Sequence, residues 1–210
     1  MKILLTTSEI GNNAGGLAYH CLQLKSMFEK MGHIVFTEVL LDDRDSITVF
    51  DGGYDICLGK KIRKAYKLKQ MDAKYGKDID LCISCGAGLT AYMSMLFCKK
   101  KSIPLKIVLC GSEVNLACGN TELAYFNEHA VDYADDVIGI SNELIENIQL
   151  FSNNESCRYH VIPIICDMNT DISDKISKKE TNQIVFSTGA SFLGEKKGIA
   201  NLIAAFSRVI

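Results

Sequence analysis

Short apolar runs alternate along this chain with stretches of helical periodicity, and this alternation limits the possible folds more than any other feature. Residues 2–7 are a run that reads as a buried strand, followed by a small, polar loop over 8–16. Leu17, His20/Cys21, Leu24, Phe28 and Met31 then recur at helical spacing, and Gly32 stands where a helix C-cap favours a residue without a Cβ. Residues 33–40, 79–84, 105–110, 137–140 and 159–162 read as further strands. Helices are predicted over 61–75 (basic and amphipathic, with a solvated face), 89–101, 121–134 (capped by Thr121) and from the Ser141 cap to Phe151. Residues 41–60 are acidic, then aromatic and glycine-containing, and fit no element. Strands alternating with helices predict a parallel sheet with helices on both faces, an α/β, Rossmann-like architecture. Ligands of such sheets bind beyond the carboxyl ends of the strands.

The pattern changes after residue 166. Residues 167–182 are polar, rich in Asp, Ser, Lys and Thr, and lack apolar periodicity, as an interdomain linker does. Within 183–210 a strand (183–188), a loop (189–197) and a helix (198–210) are expected. One strand and one helix cannot bury both their faces, so this segment is expected to be the start of a second domain that is cut short. The resulting division is 1–166, 167–182 and 183–210.

Composition excludes some functions. Lys and Arg total 23 against 25 Asp and Glu, a net charge of -2, which argues against general nucleic-acid binding. The apolar run after Lys2 is too short for a signal peptide or a membrane span. The nine cysteines fall in apolar runs such as those of Cys82 and Cys110, or on helices such as those of Cys21 and Cys98. There they read as reduced thiols in a cytoplasm, acting as small hydrophobes. Cys82-Ile83-Ser84-Cys85 is a CxxC, but it lies inside an apolar strand and no second CxxC accompanies it, so a redox or zinc role is disfavoured.

Four segments stand where chemistry is expected. Gly11-Asn12-Asn13-Ala14-Gly15-Gly16 joins a strand to a helix, so free amides and a positive dipole end are presented to an anion, or else the loop is a simple tight turn. It is neither a Walker loop nor GxGxxG. Cys110-Gly111-Ser112-Glu113 ends a strand, with Glu113 either a hydrogen-bond acceptor for a sugar hydroxyl or a plain surface carboxylate. Gly139-Ile140-Ser141-Asn142-Glu143 places the capping Ser141 at another strand end. Glu195-Lys196-Lys197-Gly198 puts two lysines at a helix amino terminus, where they oppose the dipole unless an anion binds. His20 is either a packed helix residue or a base near the glycine loop, and His33, His129 and His160 read as structural. No histidine or carboxylate pattern marks a metal site.

Taken in order, these segments resemble the family 4 retaining glycosyltransferases, which have the GT-B fold. Gly15-Gly16, His20 and Gly32-His33 are similar to that family's first strand–helix unit. Ile103-Pro104-Leu105 with Val108-Leu109-Cys110-Gly111-Ser112-Glu113 resembles its IPLV-x-T-x-H-G-x-D stretch, and Ala134-Asp135-Asp136-Val137-Ile138-Gly139-Ile140-Ser141 its ADxVIAVS strand. Val161-Ile162-Pro163, with Asp167, is similar to VIPNGVD, and residues 189–198 with Leu202-Ile203-Ala205-Phe206 to GR…EKG…LIEAF. The resemblance implies an acceptor-side amino-terminal domain and a donor-binding second domain. It also implies transfer of a sugar, hexosyltransferase-like and with retention, from a nucleotide-diphosphate sugar to a glycan, lipid or small-molecule acceptor, as in polysaccharide biosynthesis.

In that scheme Cys110 and Glu113 hold the catalytic positions, and Gly15, Gly16 and Lys197 bind the donor phosphates. Asn13, His20, Gly111 and Ser141 contact substrate, and neither metal nor cofactor is required. Cys110 replaces the family's usual His, Glu113 its Asp, and Ala190 the Arg of GR. The isolated chain is therefore expected to be inactive, acting with a carboxyl-terminal half or by self-association. The alternatives are a non-catalytic glycosyltransferase-like partner or subunit, and an unrelated Rossmann-like binder. The expected location is cytoplasmic, or peripheral at a membrane, with no nucleic-acid partner.

Overall fold

The computed structural model describes residues 1–8, 10, 15–40, 54–76, 78–111, 114–152, 154–163 and 198–208. The chain divides into two compact units, Met1–Ile165 and Cys166–Ile210. The described elements of the first are β1 (Lys2–Thr7), α1 (Gly16–Lys30), β2 (Ile34–Val39), α2 (Tyr54–Tyr75), β3 (Leu81–Cys85) and α3 (Gly88–Lys101). They continue with β4 (Leu105–Leu109), a 3₁₀ turn (Asn115–Gly119), α4 (Thr121–Tyr133), β5 (Asp136–Gly139), α5 (Asn142–Gln149) and β6 (Arg158–Val161). In the second unit the described residues form α6 (Ile199–Phe206).

The six strands make one parallel sheet in the order β2-β1-β3-β4-β5-β6. This is the α/β, Rossmann-like architecture that the alternation of runs predicts. All six strands fall within two residues of their expected limits where the two can be compared. β1 is buried from Ile3 to Thr7 because strands flank it on both sides, and Ile3, Leu4 and Leu5 alternate between the two faces. On one face Leu4, Cys82, Leu105, Ile107, Leu109 and Val137 join a core with Met71, Leu89, Phe97 and Ile148 from the helices. On the other, Ile3, Leu5, Ile83, Cys85 and Val108 pack with Cys21, Leu17, Leu24 and Phe28 of α1.

Three local expectations are corrected. Met31 does not continue the α1 stripe: it is the C-cap residue and 67% exposed. The helix expected over 61–75 begins at Tyr54, ahead of Gly59, a residue that helix interiors disfavour and that hides the earlier turns in the sequence. Its described lysines do not all point to solvent, since Lys67 and Lys74 bind the Glu38 carboxylate of β2 at 2.6 and 2.7 Å, and Lys64 pairs with Glu122 at 3.8 Å. Finally, α4 is capped by Asn120, not Thr121. The Asn120 side chain accepts hydrogen bonds from the amides of Glu122 and Leu123, as the amide-bearing residue just outside the helix is placed to do.

Candidate functional site

Chain direction puts the carboxyl ends of all six parallel strands at one edge of the sheet. From β1 the chain runs through α1 to β2 on one side, while β3 lies on the other. The strand order therefore reverses between β1 and β3, the position at which sheets of this kind form a ligand crevice. Gly15 and Gly16 stand beside it, at the start of α1. Cys110 and Gly111 follow β4, and Ser141 follows β5, all at the same edge of the sheet.

The two helices flanking the crevice begin differently. At α3, the Gly88 amide donates to Asn127 Oδ1 at 2.7 Å, and Asn127 is only 1% exposed on α4. Its carbonyl thus closes the α3 amino terminus from within the protein. At α1, Gly15 is the N-cap and brings no side chain of its own, and no acidic residue stands in the first turn. Gly16 is exposed. The first turn of α1 thus adds no negative charge of its own to the positive dipole end of the helix.

His20 lies one turn into α1. Its ring is half-buried, its Nδ1 is buried without a hydrogen-bond partner, and burial pulls its pKa below the ordinary value. It is therefore a neutral imidazole at pH 7. Cys110 and Gly111 are partly buried. Ser141 accepts a hydrogen bond from the Leu144 amide at 3.4 Å, so it caps α5. Asn13, Glu113, Ala190, Lys197 and the expected 167–182 linker lie outside the described residues.

Charged clusters lie elsewhere. Asp136, at the amino end of β5, is 3% exposed and bonds to Arg158 at 2.9 Å, to His160 at 2.8 Å and to Lys106. The register aligns Lys106, Asp136 and Arg158 in one row across β4, β5 and β6. The Arg158 guanidinium holds the Asp136 carboxyl well below the usual carboxylate range, against burial and with help from Lys106 and His160. This cluster sits at the edge opposite the crevice, so it clamps strands rather than serving the site. Among the described residues no His, Cys, Asp or Glu group is arranged to hold a metal ion, and no helix is long and apolar enough to cross a membrane.

One feature of the site escapes sequence reading. The Gly86-Ala87-Gly88 turn at the end of β3 is visible as a glycine-rich strand–helix junction, but its neighbour in space is not. Asn127 carries no local signal: it lies 39 residues from the amide it caps.

No family model matches the chain, and no curated protein sequence matches it. Among solved structures, MurG of Acinetobacter baumannii matches at 12% identity and a TM-score of 0.35, over 80% of this chain and 69% of that one. A likeness of that size carries no functional argument.

Proposed function

We propose that this chain is the acceptor-side part of a GT-B glycosyltransferase, moving a sugar with retention from a nucleotide-diphosphate donor to a glycan, lipid or small-molecule acceptor. The observation that carries the reading is the α1 amino terminus, a helix start capped by Gly15 with no acidic residue in its first turn, at the reversal of strand order. A diphosphate is the anion such a terminus suits, because amides and helix dipole act together on negative charge. Gly15 and Gly16 lie against the donor phosphates, and Lys197 neutralises the departing diphosphate without a metal. Leaving-group charge is thereby stabilised electrostatically, by groups fixed before the bond breaks. His20, neutral, hydrogen-bonds a substrate hydroxyl, and Cys110 and Glu113 face the reacting sugar. Asn13, Gly111 and Ser141 complete the substrate contacts.

Replacement of the family's usual His by Cys110 favours the second reading, a non-catalytic partner that retains the anion site. Isothermal titration with UDP-, GDP- and ADP-sugars separates the readings from an unrelated fold. Saturable binding of one donor is expected, weakened at least tenfold by Gly16→Asp, which places a carboxylate at the helix start. Binding of none by the full chain sinks both readings. Binding without sugar transfer to any acceptor, with the donor domain present, selects the second.

A further inference from the structure

Three aromatic side chains meet at the surface where α3 and α4 pack against each other. Tyr125 and His129 are four residues apart on α4, so they share one face of that helix. Their ring centres are 4.0 Å apart and the rings are tilted by 35°. Tyr92 of α3 closes the group, 5.8 Å from Tyr125 and 6.3 Å from His129. The buried Phe126 packs on Tyr92 at 4.9 Å and ties the group to the core.

Core packing accounts for Phe126 and for the inner part of Tyr92, but not for the other two rings. Tyr125 is 46% exposed and His129 is exposed, so both leave apolar area in water. The rim of the group is polar. A carbonyl only accepts, so the His129 Nδ1, 3.0 Å from the Tyr125 carbonyl oxygen, carries a proton, and the neutral ring keeps Nε2 as an acceptor. The two tyrosines add hydroxyls that both donate and accept. Charge beside the rings is balanced, since Lys64 Nζ stands 4.5 Å from the centre of the Phe126 ring and pairs with the half-exposed Glu122 at 3.8 Å. α3 follows β3 and α4 follows β4, and Tyr92 and Tyr125 are each the fifth residue of their helix. The group therefore lies about one helical turn from the carboxyl edge of the sheet, where ligands of such sheets bind.

A pyranose matches this surface. It has a face of C–H groups, which settle on the electron-rich face of an aromatic ring, and a rim of hydroxyls, which bond to phenol oxygens, an imidazole nitrogen or a carboxylate. A nucleic acid or an anionic membrane surface needs cations for its phosphates, and here Lys64 is ion-paired while Glu122 and Glu128 are exposed. An acyl chain would leave the hydroxyls and the imidazole without partners. We propose that Tyr92, Tyr125 and His129 form a stacking site for a neutral pyranose of a glycan. The choice of a glycan deepens the acceptor side of the reading above and rests on it for its purpose, whereas the stacking stands on these rings alone.

The test is titration of the full chain with neutral disaccharides (maltose, cellobiose, diacetylchitobiose and mannobiose), followed by saturation-transfer NMR and by tyrosine fluorescence, which no tryptophan masks. Saturable binding of at least one is expected, with saturation strongest at its ring C–H protons. Tyr125→Ala should weaken that binding about tenfold, the scale of one aromatic contact, and Tyr125→Phe, which keeps the ring, should retain most of it. Circular dichroism checks each fold, and His129→Ala repeats the test if Tyr125→Ala is disturbed. Nucleotide-sugar binding should be the same in Tyr125→Ala as in the parent, so failure of the donor reading and failure of this site show separately. The proposal is overturned if no disaccharide binds, if Tyr125→Ala and His129→Ala bind as the parent does, or if Tyr125→Phe loses as much as Tyr125→Ala. It is overturned too if what Tyr125→Ala loses is binding of uridine monophosphate or of phosphatidylglycerol vesicles rather than of a saccharide.

Discussion

Glu38 shows how one residue ties two elements together. It is 9% exposed on an edge strand, a costly place for a carboxylate, and it survives there because Lys67, Lys74 and Tyr75 all donate to it. Burial by itself would raise its pKa, but these three partners outweigh burial and hold it at about 2, against an ordinary 4.5. The sign follows from the depression. The stabilisation is fully present above the unfolded pKa near 4.5 and is lost as pH falls toward 2. The shift corresponds to something on the order of 3 kcal/mol. Glu38→Gln is expected to destabilise the fold by roughly 1–3 kcal/mol at pH 7. The gap between variant and parent should close between pH 4.5 and 2, as read from urea midpoints across that range. A gap that stays constant on acidification would show that the carboxylate charge is not the source of the stabilisation.

At the scale of the element, two helix ends have opposite defects. α1 ends in a doubly hydrogen-bonded turn, with the Gly32 amide on the Glu29 carbonyl and the His33 amide on the Phe28 carbonyl. The turn needs Gly32 at φ +83, and nothing lies within 4 Å of a Cβ there, so the only cost of a side chain is backbone strain. α3 ends on Ser102 at φ +56, exposed, the one non-glycine residue with positive φ among the described residues. Gly32→Ala should therefore lower stability by about 1 kcal/mol, and Ser102→Gly should raise it by about 0.5–1 kcal/mol. Thermal melts of the two variants should move in opposite directions. A Ser102→Gly variant that melts lower would mean the side chain makes a contact worth more than the strain.

On the scale of the whole molecule, protection is expected to fall from the sheet centre outward. Nearly all of β1, β3 and β4 is buried, whereas three of the four residues of β6 are exposed. Amide hydrogen exchange should be slowest in β1, β3 and β4 and fastest, among the strands, in β6. Protection of β6 equal to that of β1 would show that another surface covers it.

The order of strands and helices was legible in the sequence because apolar period, glycine and capping residues act over a few positions. Residues 2–7 and 105–110 could hardly be anything but buried strands, and Ser141 marked its own helix. The glycines at the start of α1 were legible for the same reason. What the sequence alone could not show depends on groups far apart in the chain. Asn127 closing α3, the two lysines and tyrosine around Glu38, and the row of Lys106, Asp136 and Arg158 all join residues 22 or more positions apart. The cysteines illustrate the division most clearly. Cys82 and Cys85 are near neighbours in sequence, but the pleat of β3 separates them, and each is buried in a different core cluster. Local propensity determines which elements form, and the three-dimensional packing of those elements decides which side chains meet.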